Sequence, residues 1–271
     1  MPVSESLSTL LYELAMANRI VAHEGVLDAF GHVSIRHPSN PSRYFLSRSR
    51  SPELVEVADI YEFDLDSQPV VTPKQAMYSE RVIHGEIYKA RPDVMAVCHH
   101  HAPSILSYCI TGEKPVAVYH LGAVIGTDPP FWDQHDEFGD TNMLVQKPEE
   151  GASLARALGN HSWVLMRRHG ATVVSTNLRE LVFRTIYGAR NAEYQTQAKL
   201  IGKVNALTPG ETKMAGTLPL QPNTTSRAWE YWSTRLAKRG AMPAQSAKRA
   251  TAKRSAAKRS APKKKSGGKK R

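Results

Sequence analysis

The chain has 271 residues, 41% of them apolar, enough for one large domain or two small ones with a real core. Its formal net charge of +11 is unevenly placed: residues 238–271 hold 14 Lys/Arg and no Asp or Glu, and without them 22 basic residues face 25 acidic ones. The body therefore has no basic excess for nucleic acid, no apolar run reaches bilayer length, and Cys98 and Cys109 alone offer no disulfide framework.

The N-terminus, MPVSESLSTLLYELAMANRI, lacks a basic leader, carries Glu5 and Glu13, and spaces its apolar residues helically. That is not a signal peptide, so a cytoplasmic protein is expected. Residues 4–25 are predicted as an amphipathic helix with Leu7, Leu10, Leu11, Leu14 and Met16 in its stripe. After the turn at FGH, residues 30–32, short β-like runs follow: HVSIRH, then RYFLSR over 43–48, then the end of ELVEVADIYEFDLD. SERVIHGEIYKARPD, residues 79–93, has helical spacing and ends at Pro92. VMAVCHH is predicted as a strand, APSILSYCITG as a helix, and VAVYHLGAVI as a strand or pair of strands.

The stretch GTDPPFWDQHDEFGDTN is a long, acidic, aromatic connection. EEGASLARALGN is a helix closed by Gly159-Asn160. SWVLMRRHGATVVS is strand, glycine turn, strand. A long helix begins after Asn177, a plausible N-cap, and RAWEYWSTRL, residues 227–236, is a last short one. Hairpins interspersed with helices give a single α/β domain over residues 1–236, its mixed, mainly antiparallel central sheet flanked by helices on both faces in three layers. Residues 237–271 repeat Ala, Lys, Arg and Ser and carry no large apolar residue after Met242. They are expected to be a disordered tail, able at most to hold polyanions weakly.

Chemistry concentrates at CHHHAP, residues 98–103. On a strand His99 and His101 project from one face and His100 from the other. A His-X-His pair is a metal half-site or simply a polar strand end. His169 at the turn after WVLMRR, and Glu80 at the start of the preceding helix, favour the first. Three histidines and a carboxylate on separate elements suit one divalent ion, zinc or manganese, with cobalt also compatible.

SERVIHGEIYKARPDVMAVCHHHAPSIL resembles the segment of class II (metal-dependent) aldolases that carries a glutamate and, 19 residues later, a His-X-His pair. LMRRHGATVVSTNLREL resembles their third-histidine turn, and VAHEGVLDAFGHVSIRHP their first helix and glycine loop; the likeness runs from about residue 10 to 205. The resemblance implies that His99, His101 and His169 bind the metal, that Glu80 is a ligand or acid/base beside them, and that the chain forms a ring-shaped homotetramer. Sugar-phosphate members have Asn after the loop glycine and a Thr-Gly phosphate turn. Here His32 follows Gly31, and SRSRSP, residues 47–52, stands at the second motif. An arginine fork suits a carboxylate, so Arg50, rather than Arg48, with Ser49 and Ser79 is expected to bind one.

These departures resemble the family's decarboxylase branch, which acts on hydroxylated aromatic or heteroaromatic dicarboxylates such as dihydroxyphthalate. The expected function is a metal-dependent carboxy-lyase on a small carboxylate, with Glu80 and His32 as acid candidates. An aldolase cleaving a sugar phosphate is the first alternative and a non-catalytic adducin-like scaffold the second. Trp132, Trp229 and Trp232 are pocket walls or core residues. His100 is expected to be structural, as are His23, His37, His84, His120, His135 and His161, although Asp133 and His135 sit on a loop that approaches the substrate in this reading.

Overall fold

Apolar residues at alternate positions of seven short strands build one sheet with two buried faces. The computed structural model describes residues 7–244. Its strands are β1 (His32–Arg36), β2 (Arg43–Ser47), β3 (Ile60–Asp64), β4 (Ala96–His100), β5 (Phe131–Trp132), β6 (Trp163–Met166) and β7 (Gly170–Ser175). They lie in the order β3-β2-β1-β4-β7-β6-β5, antiparallel throughout except for the β5–β6 pair. The helices are α1 (Leu7–His23), α2 (Val82–Ala90), α3 (Pro103–Thr111), α4 (Gln134–Phe138), α5 (Pro148–Leu158), α6 (Leu178–Ile201), α7 (Pro209–Thr217) and α8 (Pro222–Lys238). This is the expected three-layer α/β domain with a mixed, mainly antiparallel sheet.

The pleat sorts side chains between the two faces. Val33, Ile35, Ala96, Cys98, Leu165 and Val173 pack with α1, α3, α6 and α8. Val97, Val164, Met166 and Val174 pack on the other side with α2 and α5. On β4 this puts Cys98 toward the first layer and His99 toward the second. Gly188 lets α6 lie directly on the Trp163 ring, where any Cβ would come within 2.2 Å of it.

Two expectations are corrected. VAVYHLGAVI is not a strand: it runs irregularly and then as a 3-10 turn over His120–Ile125. Side chains of α6 take its backbone bonds in place of a neighbouring strand. Asn191 accepts from the Val118 N–H and donates to the Val116 carbonyl, and Gln195 accepts from the Val116 N–H. The long acidic connection is not structureless either, since it contains β5 and α4, the latter capped by Asp133. α7 was not anticipated, and α8 begins five residues before Arg227. The expected tail start falls inside α8, and Ala241 and Met242 still pack on the core. Residues 245–271 of that tail lie outside the described residues. Among the described residues, no helix is long and apolar enough to cross a membrane.

Candidate metal centre and its cavity

The end of β4, the β6–β7 turn and the start of α2 meet at one point. β4 pairs with β1 on one side and β7 on the other, so His99 lies opposite His32 and Thr172. His101 follows the last residue of β4, and His169 occupies the β6–β7 turn. There Gly170 comes so near the His100 carbonyl that a Cβ would lie 2.3 Å from it. Glu80 stands in a 3-10 turn, Ser79–Arg81, that leads into α2.

Donor atoms of Glu80, His99, His101 and His169 all lie within 4.8 Å of one another. His99 Nε2 is 3.0 Å from His101 Nε2 and 3.8 Å from Glu80 Oε2, and His169 Nε2 is 3.5 Å from Glu80 Oε1. Ligands about 2.0–2.1 Å from a tetrahedral ion sit roughly 3.3–3.4 Å apart, so this spacing fits one divalent ion. Protonation states fit as well. Burial and the neighbouring His101, His169, His32 and His100 rings hold His99 well below its ordinary value. Burial and His101 lower His169 to about 4, and burial lowers His101 despite Asp28. All three imidazoles are neutral near pH 7 and offer lone pairs. The Thr172 hydroxyl, 3.3 Å from His99 Nδ1, occupies the far edge of that ring and leaves Nε2 for the cluster. Burial pushes Glu80 up to about 7, against the pull of the Val145 N–H that its Oε1 accepts at 3.0 Å.

A cavity of about 360 Å³ opens beside this group. Glu80 and His101 reach its surface, with His32, Ser49, Arg50 and Ser79 on the same walls. Arg48 is not part of the lining. Both arginines reach Asp59, Arg48 Nε at 2.7 Å and Arg50 through one terminal nitrogen at 2.5 Å. Burial acts to raise Asp59, but the Glu56 N–H and the two guanidiniums outweigh it and hold the carboxyl below its usual range.

Sequence reasoning missed Tyr78, which lines the cavity and donates its hydroxyl to the Arg50 carbonyl. It also missed Phe30 and Leu144, exposed apolar residues of the lining. His84, read as having no companion, bonds directly to His32: its Nε2 is 2.6 Å from His32 Nδ1. The available signal was its place four residues after Glu80, at the start of the helix that follows. Leu144 and Val145, rather than Asp133 or His135, bring the acidic connection to the site. The tryptophans are core residues: Trp132 donates to Ser153, Trp229 and Trp232 pack beneath α1 and α6, and none lines this cavity. His100 faces away from the cluster, accepting the Ala102 N–H and meeting Trp163 edge-on.

A fold with this sheet order and a three-histidine, one-carboxylate group at the strand ends defines a class of metal-binding α/β proteins. The chain belongs to the family described as Class II Aldolase and Adducin N-terminal domain, which matches residues 12–196. It is 33% identical to the decarboxylase tropJ of Talaromyces stipitatus over 235 residues, covering 79% of this chain and 88% of that one. It is 28% identical to the 3,4-dihydroxyphthalate decarboxylase of Arthrobacter keyseri over 64% of this chain and 72% of the other. Among solved structures, the L-fuculose 1-phosphate aldolase from Glaciozyma antarctica superimposes with a TM-score of 0.74. That match has 19% identity and covers 89% of this chain and 96% of the other, a likeness of fold.

Proposed function

We propose that this chain is a divalent-metal-dependent carboxy-lyase that decarboxylates a hydroxylated aromatic or heteroaromatic dicarboxylic acid. The observation that carries the reading is the shared cavity, onto which both the metal-ligand group and the Arg50 wall open. The two decarboxylase relatives support the reaction class. His99, His101 and His169, with Glu80 beside them, would hold zinc, manganese or cobalt. The bound ion supplies Lewis acidity for the charge that C–C cleavage leaves next to an oxygen.

The chain's own residues do the rest. Arg50 has one guanidinium nitrogen committed to Asp59, and turns its remaining donors, with the Ser49 and Ser79 hydroxyls, to the carboxylate that stays on the product. Glu80 is the first candidate for delivering a proton to the ring carbon, because it stands in the metal-ligand group and reaches the cavity surface. His32 is the second candidate. Phe30 and Leu144 give the cavity apolar lining for the substrate ring. A homotetramer is part of the same proposal, and sedimentation measures it.

The test is metal content together with CO2 release on a panel of ortho-hydroxy aromatic dicarboxylates and sugar phosphates. One metal per chain with CO2 from an aromatic diacid is the expected result. Aldehyde release from a sugar phosphate, or no metal and no turnover, overturns the reading.

A further inference from the structure

Behind the cavity wall runs a chain of four enclosed polar side chains on β1 and α2. His32 Nδ1 meets His84 Nε2 at 2.6 Å, His84 Nδ1 meets Ser34 Oγ at 2.6 Å, and Ser34 Oγ meets Tyr88 Oη at 2.8 Å. None of the four residues is more than 2% exposed. The geometry follows from two periodicities: His32 and Ser34 share a face of the strand, and His84 and Tyr88 share a face of the helix.

Proton accounting gives the chain a direction. Two ring nitrogens facing each other at hydrogen-bond distance accommodate one proton between them. Among the described residues Tyr88 Oη has no hydrogen-bond partner except Ser34, and Ser34 Oγ has none except Tyr88 and His84. Only one arrangement uses every proton: Tyr88 donates to Ser34, Ser34 to His84 Nδ1, and His84 Nε2–H to His32 Nδ1. Either alternative leaves a buried O–H, of Tyr88 or of Ser34, with no acceptor, which is penalised. His32 then carries its own proton on Nε2, the edge left for the cavity it lines.

We propose that Tyr88, Ser34 and His84 are positioning residues that lock His32 as its Nε2–H tautomer, making it a fixed hydrogen-bond donor to an anionic oxygen of the substrate and not a base. The inference rests on the carboxylate-substrate reading of the cavity. It assigns Ser34 a part in catalysis although that residue lies two hydrogen bonds from the cavity edge. Ketone-like and uncharged analogues gain less from such a donor than a carboxylate or phenolate does.

Long-range proton–nitrogen correlation spectra of the zinc-loaded, 15N-histidine-labelled protein read each ring directly. The expected result is that His32 and His84 both show a protonated Nε2 and a bare Nδ1. Ser34→Ala removes the hydroxyl that stands between Tyr88 and His84. Without it His84 Nδ1 faces no donor, so the His32 signals should shift toward a tautomer mixture. With the diacid substrate, kcat should fall about three- to tenfold while KM stays within about twofold. His84→Gln, whose amide can accept from Ser34 and donate to His32, should keep the tautomer and most of kcat, whereas His84→Ala should lose both.

A wild-type His32 protonated at Nδ1, or a Ser34→Ala protein with the tautomer unchanged, overturns the inference. The spectra need no substrate, so a wrong reaction class leaves this result standing. CO2 release with the wrong tautomer removes the inference alone.

Discussion

Arg50 shows how a single residue divides its donors. Its pairing with Asp59 fixes the guanidinium plane, and Tyr78 fixes the backbone by donating to the Arg50 carbonyl. A lysine there would keep the charge and lose the planar fork. Arg50→Lys should therefore raise KM for the diacid by roughly tenfold and change kcat by less than about threefold, as steady-state CO2 release measures. A drop in kcat with KM unchanged would move the residue from binding to chemistry. His84 carries a different consequence. Burial holds it neutral down to about pH 3, against an ordinary value of 6.5. Between those values the unfolded chain binds a proton that the folded one refuses. This part of the stability is complete above pH 6.5 and drains away as pH falls toward 3, by roughly 1 kcal/mol per pH unit. Urea midpoints followed from pH 7 to pH 4 should fall more steeply for the native protein than for His84→Gln.

At the scale of elements, the β6–β7 turn holds the metal centre to tight tolerance. Gly170→Ala would bring a Cβ to 2.3 Å from the His100 carbonyl and 2.9 Å from His101 Cδ2, so β4 and its histidines must shift. We expect metal affinity to fall by about ten- to a hundredfold, read by competition with a chromogenic chelator, with a stability loss of about 1–3 kcal/mol. The strands and long helices were legible in the sequence because their alternation and helical spacing match the faces they bury. His99, His101, His169 and Glu80 stood out because each combines a chemistry-bearing side chain with an element end. The irregular run at Val116–Val118, ahead of the 3-10 turn, did not stand out: its apolar pattern reads as a strand, and the distant Asn191 and Gln195 take its backbone bonds. α7 did have a local signal, the Thr208-Pro209-Gly210-Glu211 box, in which Thr208 and Glu211 cap each other. The His32–His84 contact was hidden because it joins residues 52 positions apart on a strand and a helix whose docking no local pattern specifies.

For the whole molecule, a bound ion should act as a cross-link among β4, the β6–β7 turn and the approach to α2. Exhaustive chelation should lower the thermal midpoint, and adding zinc back should restore it in a concentration-dependent way. A midpoint indifferent to chelator would argue against a resident metal. The last described helix has a role of another kind. Trp229, Trp232 and Leu236 of α8 complete the core layer shared by α1 and α6. Glu24, just past α1, is held between Arg190 of α6 and Arg235 of α8, its side chain only 2% exposed. The family match ends at residue 196, before α8 begins. On the ribosome, then, α1 waits for α8. The apolar stripe of α1 and the enclosed carboxylate of Glu24 have no finished partner until α8 has cleared the exit tunnel. Everything between α1 and α8 must be made before the layer that backs Cys98 can settle, which leaves a long interval for chaperone capture.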